Sequence, residues 1–146
     1  MPSLDSDHNG SLQIGNTIAE MKKVVDFVDR FCAIHHLPWN IANDVNLCLD
    51  EILNNTISYG YDDQDEHSIL VTLSITGNWM IAEIKDDGKP FDPRESVPPN
   101  PLDGLQARRI GGVGLHFVNA LMDEVDYVRK QGYNRVQLKK KLQPSD

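Results

Sequence analysis

Two segments with alternating apolar residues flank the dipeptide Gly77-Asn78, and no other feature constrains the fold as strongly. Alternation with a period of two is typical of a strand with one buried face, and a Gly-Asn pair is suited to a tight hairpin turn. The alternating residues are Ile69, Val71, Leu73 and Ile75 before the turn and Met80, Ala82 and Ile84 after it. The sequence therefore predicts an antiparallel hairpin that contributes one face to a core.

The segments around this hairpin alternate between helical and strand-like periodicity. Helical spacing of apolar residues predicts helices at about 17–35, 38–59 and 115–122, with Gly60 ending the second. A short edge strand is expected at 11–15, and a second hairpin, turning near Gly132, at 125–142. This order predicts an α+β two-layer sandwich, with a mixed, mostly antiparallel sheet and helices stacked on one face.

The chain of 146 residues has the length of one compact domain. Residues 1–10 are polar and unpatterned, so we expect a flexible N-terminal tail followed by a single domain at 11–146. Apolar residues make up 40% and charged residues 25%, which argues against disorder. No apolar run approaches the length of a membrane span and no signal-peptide pattern begins at Met1, so we expect a cytoplasmic protein without a membrane partner.

The charge and the cysteines exclude two further classes of function. A net charge of −8 argues against a direct nucleic-acid partner, because neutralising phosphates requires a basic stripe. The basic run at 139–141 is expected to be a solvated strand end. Cys32 and Cys48 lie too far from suitably spaced histidines for a zinc site, and we expect them to be buried, reduced thiols.

Glu51 and Asn55 interrupt the pattern of the second helix. They lie one turn apart at the rim of its apolar stripe, whereas Asp50 and Asn54 face water. A carboxylate and a carboxamide directed at the same small volume suit a hard cation or an activated hydroxyl. The alternative is an ordinary solvated flank of the helix.

Asp86 has the same strand parity as Ile84 and should therefore point inward. A buried carboxylate must find a hydrogen-bond donor or costs several kcal/mol, about 2–7 by typical transfer values. Gly88 would allow the backbone to be approached closely. Asp86 could accept a hydrogen bond from an exocyclic amine such as that of adenine, or it could cap the following turn.

The segment from Phe91 to Gly114 follows no regular period, and such long loops are usually functional or disordered. Its end, Gly111-Gly112-Val113-Gly114, directly precedes the third helix. Amide groups at a helix start suit an anion such as a phosphate, although glycine runs also serve as hinges. Basic residues in or beside this loop would raise the local potential, or would simply aid solubility: Lys89, Arg94, Arg108 and Arg109.

Together these three segments resemble the N, G1 and G2 boxes of the GHKL ATPases, especially the anti-sigma-factor serine kinase branch that includes RsbW and SpoIIAB. The similarity extends from about Ser11 onward. The matching segments are Asp50–Asn55 with Tyr59-Gly60-Tyr61, then Asp86–Pro93, then Gly111–Leu115. Where wider GHKL proteins have a second G1 glycine this chain has Pro90, which favours the serine kinase branch over the histidine kinases.

The resemblance implies a role for each matching residue. It implies that Glu51 is the general base, that Asn55 is a Mg²⁺ ligand and that Asp86 reads adenine. The glycines and arginines would allow the lid and the helix start to wrap the phosphates of ATP. The nucleotide-binding positions implied in this way are Asn55, Asp86, Gly88, Phe91, Arg108, Arg109, Gly111, Gly112, Val113, Gly114 and Leu115.

The resemblance also implies an activity and partners. The chain would transfer the γ-phosphate of Mg·ATP to a Ser or Thr of a STAS-type anti-sigma-factor antagonist, sequester a sigma factor, and form a homodimer. A non-catalytic, ATP-dependent protein-binding module in a partner-switching pathway is the main alternative, against which the intact Glu51 counts. The ATP-binding half of a histidine kinase is a second alternative, but none of His8, His67 and His116 lies in a phosphoacceptor helical hairpin.

Overall fold

A computed structural model describes residues 3–4, 9–95 and 112–142 of the chain. Its strands are β1 (Ser3–Leu4), β2 (Asn9–Gly15), β3 (Ser68–Thr76), β4 (Trp79–Asp86), β5 (Glu124–Lys130) and β6 (Tyr133–Lys141). Its α-helices are α1 (Met21–Ile34), α2 (Trp39–Tyr59) and α3 (Gly112–Leu121), with short 3-10 segments at Ile18–Glu20 and Pro93–Glu95. The strands form one sheet in the order β1-β2-β3-β4-β6-β5.

The predicted α+β sandwich is confirmed, and every strand pairing in the described part of the chain is antiparallel. The β3–β4 hairpin turns at Gly77, whose φ of 59° lies in the left-handed region that glycine tolerates. The inward residues of β2, β3, β4 and β6 are buried beneath the helices because their apolar side chains alternate with the strand period.

The helices cover one face of this sheet. Helix α1 contributes Phe27 and Phe31, which are fully buried, and α2 contributes Leu49 and Leu53. The α1 helix is shorter than predicted, because a 3-10 turn occupies Ile18–Glu20 before it begins. Helix α2 matches its prediction, with extended Pro38 before its first residue and Gly60 after its last.

The N-terminal segment differs from expectation. Residues 1–10 were expected to form a flexible tail, but Ser3–Leu4 pairs with Gly10 and Ser11, and the strand expected at 11–15 begins at Asn9. β2 is therefore not an edge strand along its whole length. Gly10, Leu12 and Ile14 are all buried, so the inward-facing residues of β2 begin at Gly10. The strand is therefore longer than the two apolar residues, Leu12 and Ile14, indicated.

The structure bears on two further sequence predictions, those for the cysteines and for membrane-spanning segments. Cys32 and Cys48 are free and buried, as predicted, and burial raises the pKa of their thiols to about 11 and about 12. Within the described ranges, no helix is both long enough and apolar enough to cross a membrane.

Candidate functional site

A cavity of about 240 Å³ opens between the C-terminal half of α2, the end of β4, the segment after it and the start of α3. Apolar side chains make up much of its wall: Ile52, Phe91, Leu115 and Val136. Polar side chains, among them Asn55, Asp86 and Asn134, also line it. A mostly apolar cavity with a few convergent polar groups is the usual form of a small-molecule site.

Asp86 is 3% exposed and points inward at the end of β4, as its strand parity predicted. Its Oδ1 accepts hydrogen bonds of 2.9 Å from the Gly88 backbone N–H and from Asn134 Nδ2. Burial raises the pKa of this carboxyl, and the two hydrogen bonds oppose the shift. Within the described residues both hydrogen bonds fall on Oδ1, which leaves Oδ2 to accept a bond from a ligand.

Asn134 on β6 is a buried polar residue of the cavity that the sequence analysis missed. It is 3% exposed, and its Nδ2 also lies 2.8 Å from the Lys89 carbonyl and 3.3 Å from that of Gly88. Its Oδ1 accepts a 2.5 Å hydrogen bond from the Tyr127 hydroxyl. A signal was present, because Asn134 shares strand parity with the buried Val136 and Leu138, as Asp86 does with Ile84.

Gly88 lies where the segment after β4 approaches the end of α2. A Cβ there would lie 2.9 Å from the Gly60 carbonyl oxygen, closer than real Cβ contacts, and 3.0 Å from Asp86 Oδ1, which is tighter than most such contacts. The Lys89 N–H donates a 2.7 Å hydrogen bond to the same Gly60 carbonyl, and Arg129 Nη1 donates a 2.6 Å bond to the Gly88 carbonyl. Among the described residues, the atoms that approach Gly88 closely are the Gly60 carbonyl and the Asp86 carboxylate.

Glu51 and Asn55 lie one turn apart on α2, and both are half-buried, while Asp50 and Asn54 are exposed. Asn55 Nδ2 donates a 2.7 Å hydrogen bond to the Glu51 carbonyl, so its Oδ1 is the atom available to the cavity that it lines. Glu51 is not among the cavity-lining residues. Burial, and secondarily the neighbouring Asp50, raises the pKa of its carboxyl.

The glycine-rich segment is described only in part. Helix α3 begins at Gly112, so Val113 and Gly114 lie in its first turn and Leu115, which lines the cavity, follows directly. Arg108, Arg109 and Gly111 lie outside the described residues. Two cations expected to attract an anion have carboxylate partners: Lys89 pairs with Asp62 at 3.0 Å and Arg94 with Asp92 at 2.8 Å.

His67 forms a cluster with two aspartates and Tyr61 close to the end of β4. His67 Nε2 lies 2.8 Å from Asp63 Oδ1, and its Nδ1 lies 3.1 Å from Oδ2 of Asp87, the residue after Asp86. The Tyr61 ring stacks on the imidazole with centroids 4.3 Å apart. Because only the imidazolium donates from both nitrogens, these bonds raise the pKa of His67, that to Asp63 most strongly.

The fold and the cavity define a histidine kinase-like ATPase domain, and the model of that family matches residues 14–140. The chain belongs to this family, which confirms the GHKL resemblance. The chain is 31% identical over 94 residues to the serine/threonine-protein kinase BtrW of Bordetella bronchiseptica, and 28% identical over 93 residues to the serine-protein kinase RsbW of Oceanobacillus iheyensis. These matches cover 64% and 61% of the chain.

Solved structures support the fold. The chain resembles the RsbU and RsbW domains of Rv1364c from Mycobacterium tuberculosis, with a TM-score of 0.65 and 19% identity, over 92% of this chain and 33% of that one. The blue-light activated histidine kinase EL346 of Erythrobacter litoralis gives a TM-score of 0.55 at 16% identity, over 85% and 41%. For the two kinases named in the preceding paragraph, the matched segments span 66% of the length of BtrW from Bordetella bronchiseptica and 59% of the length of RsbW from Oceanobacillus iheyensis.

Proposed function

We propose that this chain binds Mg·ATP in the cavity beside Asp86 and transfers its γ-phosphate to a Ser or Thr hydroxyl of a STAS-type anti-sigma-factor antagonist. The observation that carries the proposal is the carboxylate of Asp86. It is buried at a strand end, held through Oδ1, and directed into an apolar cavity in a chain of an ATPase family. An apolar slot with one fixed acceptor suits adenine, whose flat ring packs on apolar groups and whose exocyclic amine donates.

The Oδ1 atom of Asn55 is an oxygen ligand of the kind that Mg²⁺ takes from proteins. No cluster of three or more His, Cys, Asp or Glu side chains in the described part of the chain could hold a metal ion by itself. Mg²⁺ usually takes only one or two protein oxygens and completes its shell with substrate phosphates and water. Asn55 Oδ1 would provide such an oxygen, and bound Mg²⁺ would neutralise charge on the β- and γ-phosphates.

Glu51 is the residue that we assign as general base. Burial and Asp50 raise its pKa, which makes its carboxylate a better proton acceptor than an exposed glutamate. The partner's hydroxyl oxygen would form a bond to the γ-phosphorus as the bond from that phosphorus to the bridging oxygen of ADP breaks. The hydroxyl proton would pass to Glu51, and ADP would leave. Arg108 or Arg109, with the amides of Gly112 and Gly114, would contact the phosphates.

The proposed partners follow from the chain's similarity to the serine-protein kinases BtrW and RsbW. In addition to the antagonist, we propose that the chain sequesters a sigma factor, acts in the cytoplasm and forms a homodimer. A non-catalytic ATP-dependent binding module in the same kind of pathway is the competing proposal. It would need the nucleotide cavity but not a carboxylate at position 51.

The proposal is tested by incubating the protein with γ-labelled Mg·ATP and the STAS-type antagonist encoded nearest its gene. We expect label on a Ser or Thr of the antagonist, and a decrease of about 10²–10⁴-fold in rate for Glu51→Ala. Asn54→Ala is the matched control, because that side chain lies on the same helix but is exposed, and it should transfer normally. ATP binding without transfer in any variant would favour the non-catalytic module, and no ATP binding at all would overturn the proposal.

A further inference from the structure

The sheet face opposite the helices carries a second cleft, of about 250 Å³, near the turn of the β5–β6 hairpin. We call it the basic cleft, and its lining residues are Lys85, Val128, Lys130, Gln131, Tyr133 and Arg135. Three of these six residues are cations, although the chain as a whole carries a net charge of −8. Such a local concentration of positive charge is not expected from the composition.

The cations of the basic cleft are only partly neutralised by the protein. Arg135 Nε lies 2.6 Å from Glu83 Oε1, its cross-sheet neighbour. Neither Lys85 nor Lys130 takes part in any ion pair among the described residues. Lys85 Nζ lies instead over the Tyr133 ring, 4.6 Å from its centroid. Two unpaired ammonium groups therefore remain available to an anionic ligand.

Apolar surface accompanies this charge. Val128 is 52% exposed and Tyr133 is 44% exposed, although both lie on strands of the central sheet. A surface that combines aromatic and aliphatic area with cations complements a protein segment that carries carboxylates next to an apolar side chain. A nucleic acid is a poorer complement, because its long phosphate chain would meet the acidic remainder of the protein.

The basic cleft lies on the opposite side of the sheet from the nucleotide cavity. Lys85 and Arg135 directly adjoin Asp86 and Asn134 in sequence, and successive strand residues point to opposite faces. The two cavities share no lining residue. A partner in the basic cleft would therefore leave the nucleotide cavity open.

We propose that the basic cleft is a docking site for an acidic segment of a partner protein. The carboxylates of that segment would pair with Lys85 and Lys130, and an adjoining apolar side chain would pack on Val128 and Tyr133. This site is separate from the nucleotide cavity, so its existence does not depend on the function proposed above.

The test measures binding of a fluorescein-labelled peptide in which glutamates flank a central phenylalanine, by fluorescence anisotropy with the full chain. We expect saturable binding that weakens with salt, and a dissociation constant increased about tenfold or more by Lys85→Glu with Lys130→Glu. The matched control is Lys22→Glu with Arg30→Glu, which changes the net charge equally on the helical side and should bind like wild type. Circular dichroism melting verifies that each variant folds.

Several outcomes would overturn the proposal. The first is no binding of the glutamate peptide by wild type, and the second is an equal loss of affinity in the control variant, which would mean that only the overall charge matters. Tighter binding of a labelled oligothymidylate than of the peptide would assign the cleft to nucleic acid. A wild-type dimer that becomes monomeric in the Lys85→Glu, Lys130→Glu variant would make the cleft an interface between copies of this chain.

Discussion

Asn134 on β6 lies directly opposite Asp86 on β4, and its side-chain amide donates a 2.9 Å hydrogen bond to the Asp86 carboxylate. Both residues are 3% exposed, so this pair is a buried polar contact at the floor of the cavity. The same amide nitrogen lies within hydrogen-bond distance of the Gly88 and Lys89 carbonyls. One side chain thus fixes both the orientation of the acceptor and the path of the segment after it.

Replacing Asn134 by Ala should lower the free energy of unfolding by about 1–3 kcal/mol, because the buried Asp86 Oδ1 and the Lys89 carbonyl each lose a donor. ATP binding should weaken about tenfold, since the carboxylate loses one of the two bonds that orient it. Urea unfolding and calorimetry measure the two effects. Gln137→Ala, on the outer face of the same strand, is the control, and equal behaviour of both variants would contradict the assigned role.

Gly88 provides a steric test of the same loop. A Cβ at this position meets the Gly60 carbonyl at 2.9 Å, and because that atom is backbone the loop must move. We expect Gly88→Ala to cost about 1–3 kcal/mol of stability and to weaken ATP binding. Gly15→Ala, whose nearest contact would be at 3.7 Å, should change stability by less than about 0.5 kcal/mol. Wild-type stability and affinity in Gly88→Ala would show that the close approach is not required.

We expect the contribution of His67 to the free energy of unfolding to depend on pH. Its hydrogen bonds to Asp63 and Asp87 raise its pKa above the ordinary value of 6.5, so the folded state binds the proton more tightly than the unfolded state. This stabilisation is complete below about pH 6.5 and is lost as pH rises through the folded-state pKa. The stability difference between wild type and His67→Gln should therefore be larger at about pH 6 than at about pH 9.

Urea unfolding at the two pH values measures that difference. His116→Gln removes an exposed histidine of α3 and serves as control, with no comparable change expected. The acidic partner titrates in another range, because the hydrogen bond to His67 lowers the pKa of Asp63 and its contribution is lost only at acidic pH. A difference for His67→Gln that grows towards alkaline pH would contradict this account.

Much of the fold follows from periodicity alone. The burial of Ile69, Val71 and Leu73 was predictable because a strand period of two leaves one face apolar. Helix α2 was predictable because its apolar residues recur at helical spacing from Ile41 to Leu53 and Gly60 follows its last residue. The pairing of Ser3–Leu4 with β2 was not predictable. A segment of two residues is too short to show a periodic pattern. Its pairing depends on backbone hydrogen bonds to a neighbouring strand rather than on a pattern of side chains.

The site was predictable where a residue broke a clear pattern. Asp86 was found because a carboxylate continued the inward parity of β4. Asn134 was missed because it follows Gly132 closely, where a polar residue is ordinarily assigned to a turn. The hydrogen bond that joins Asn134 to Asp86 spans 48 positions of sequence, and such a pairing depends on the strand order, which periodicity does not specify.

The central claim is that Asp86 reads the base of ATP in the cavity, and titration calorimetry of Mg·ATP into wild type and Asp86→Asn tests it most directly. The amide keeps the size of the carboxylate but presents a donor to the adenine amine, so we expect affinity to decrease about tenfold or more. Since burial already disfavours the ionised carboxylate, thermal stability should not decrease. Unchanged affinity in a folded Asp86→Asn protein would contradict the account.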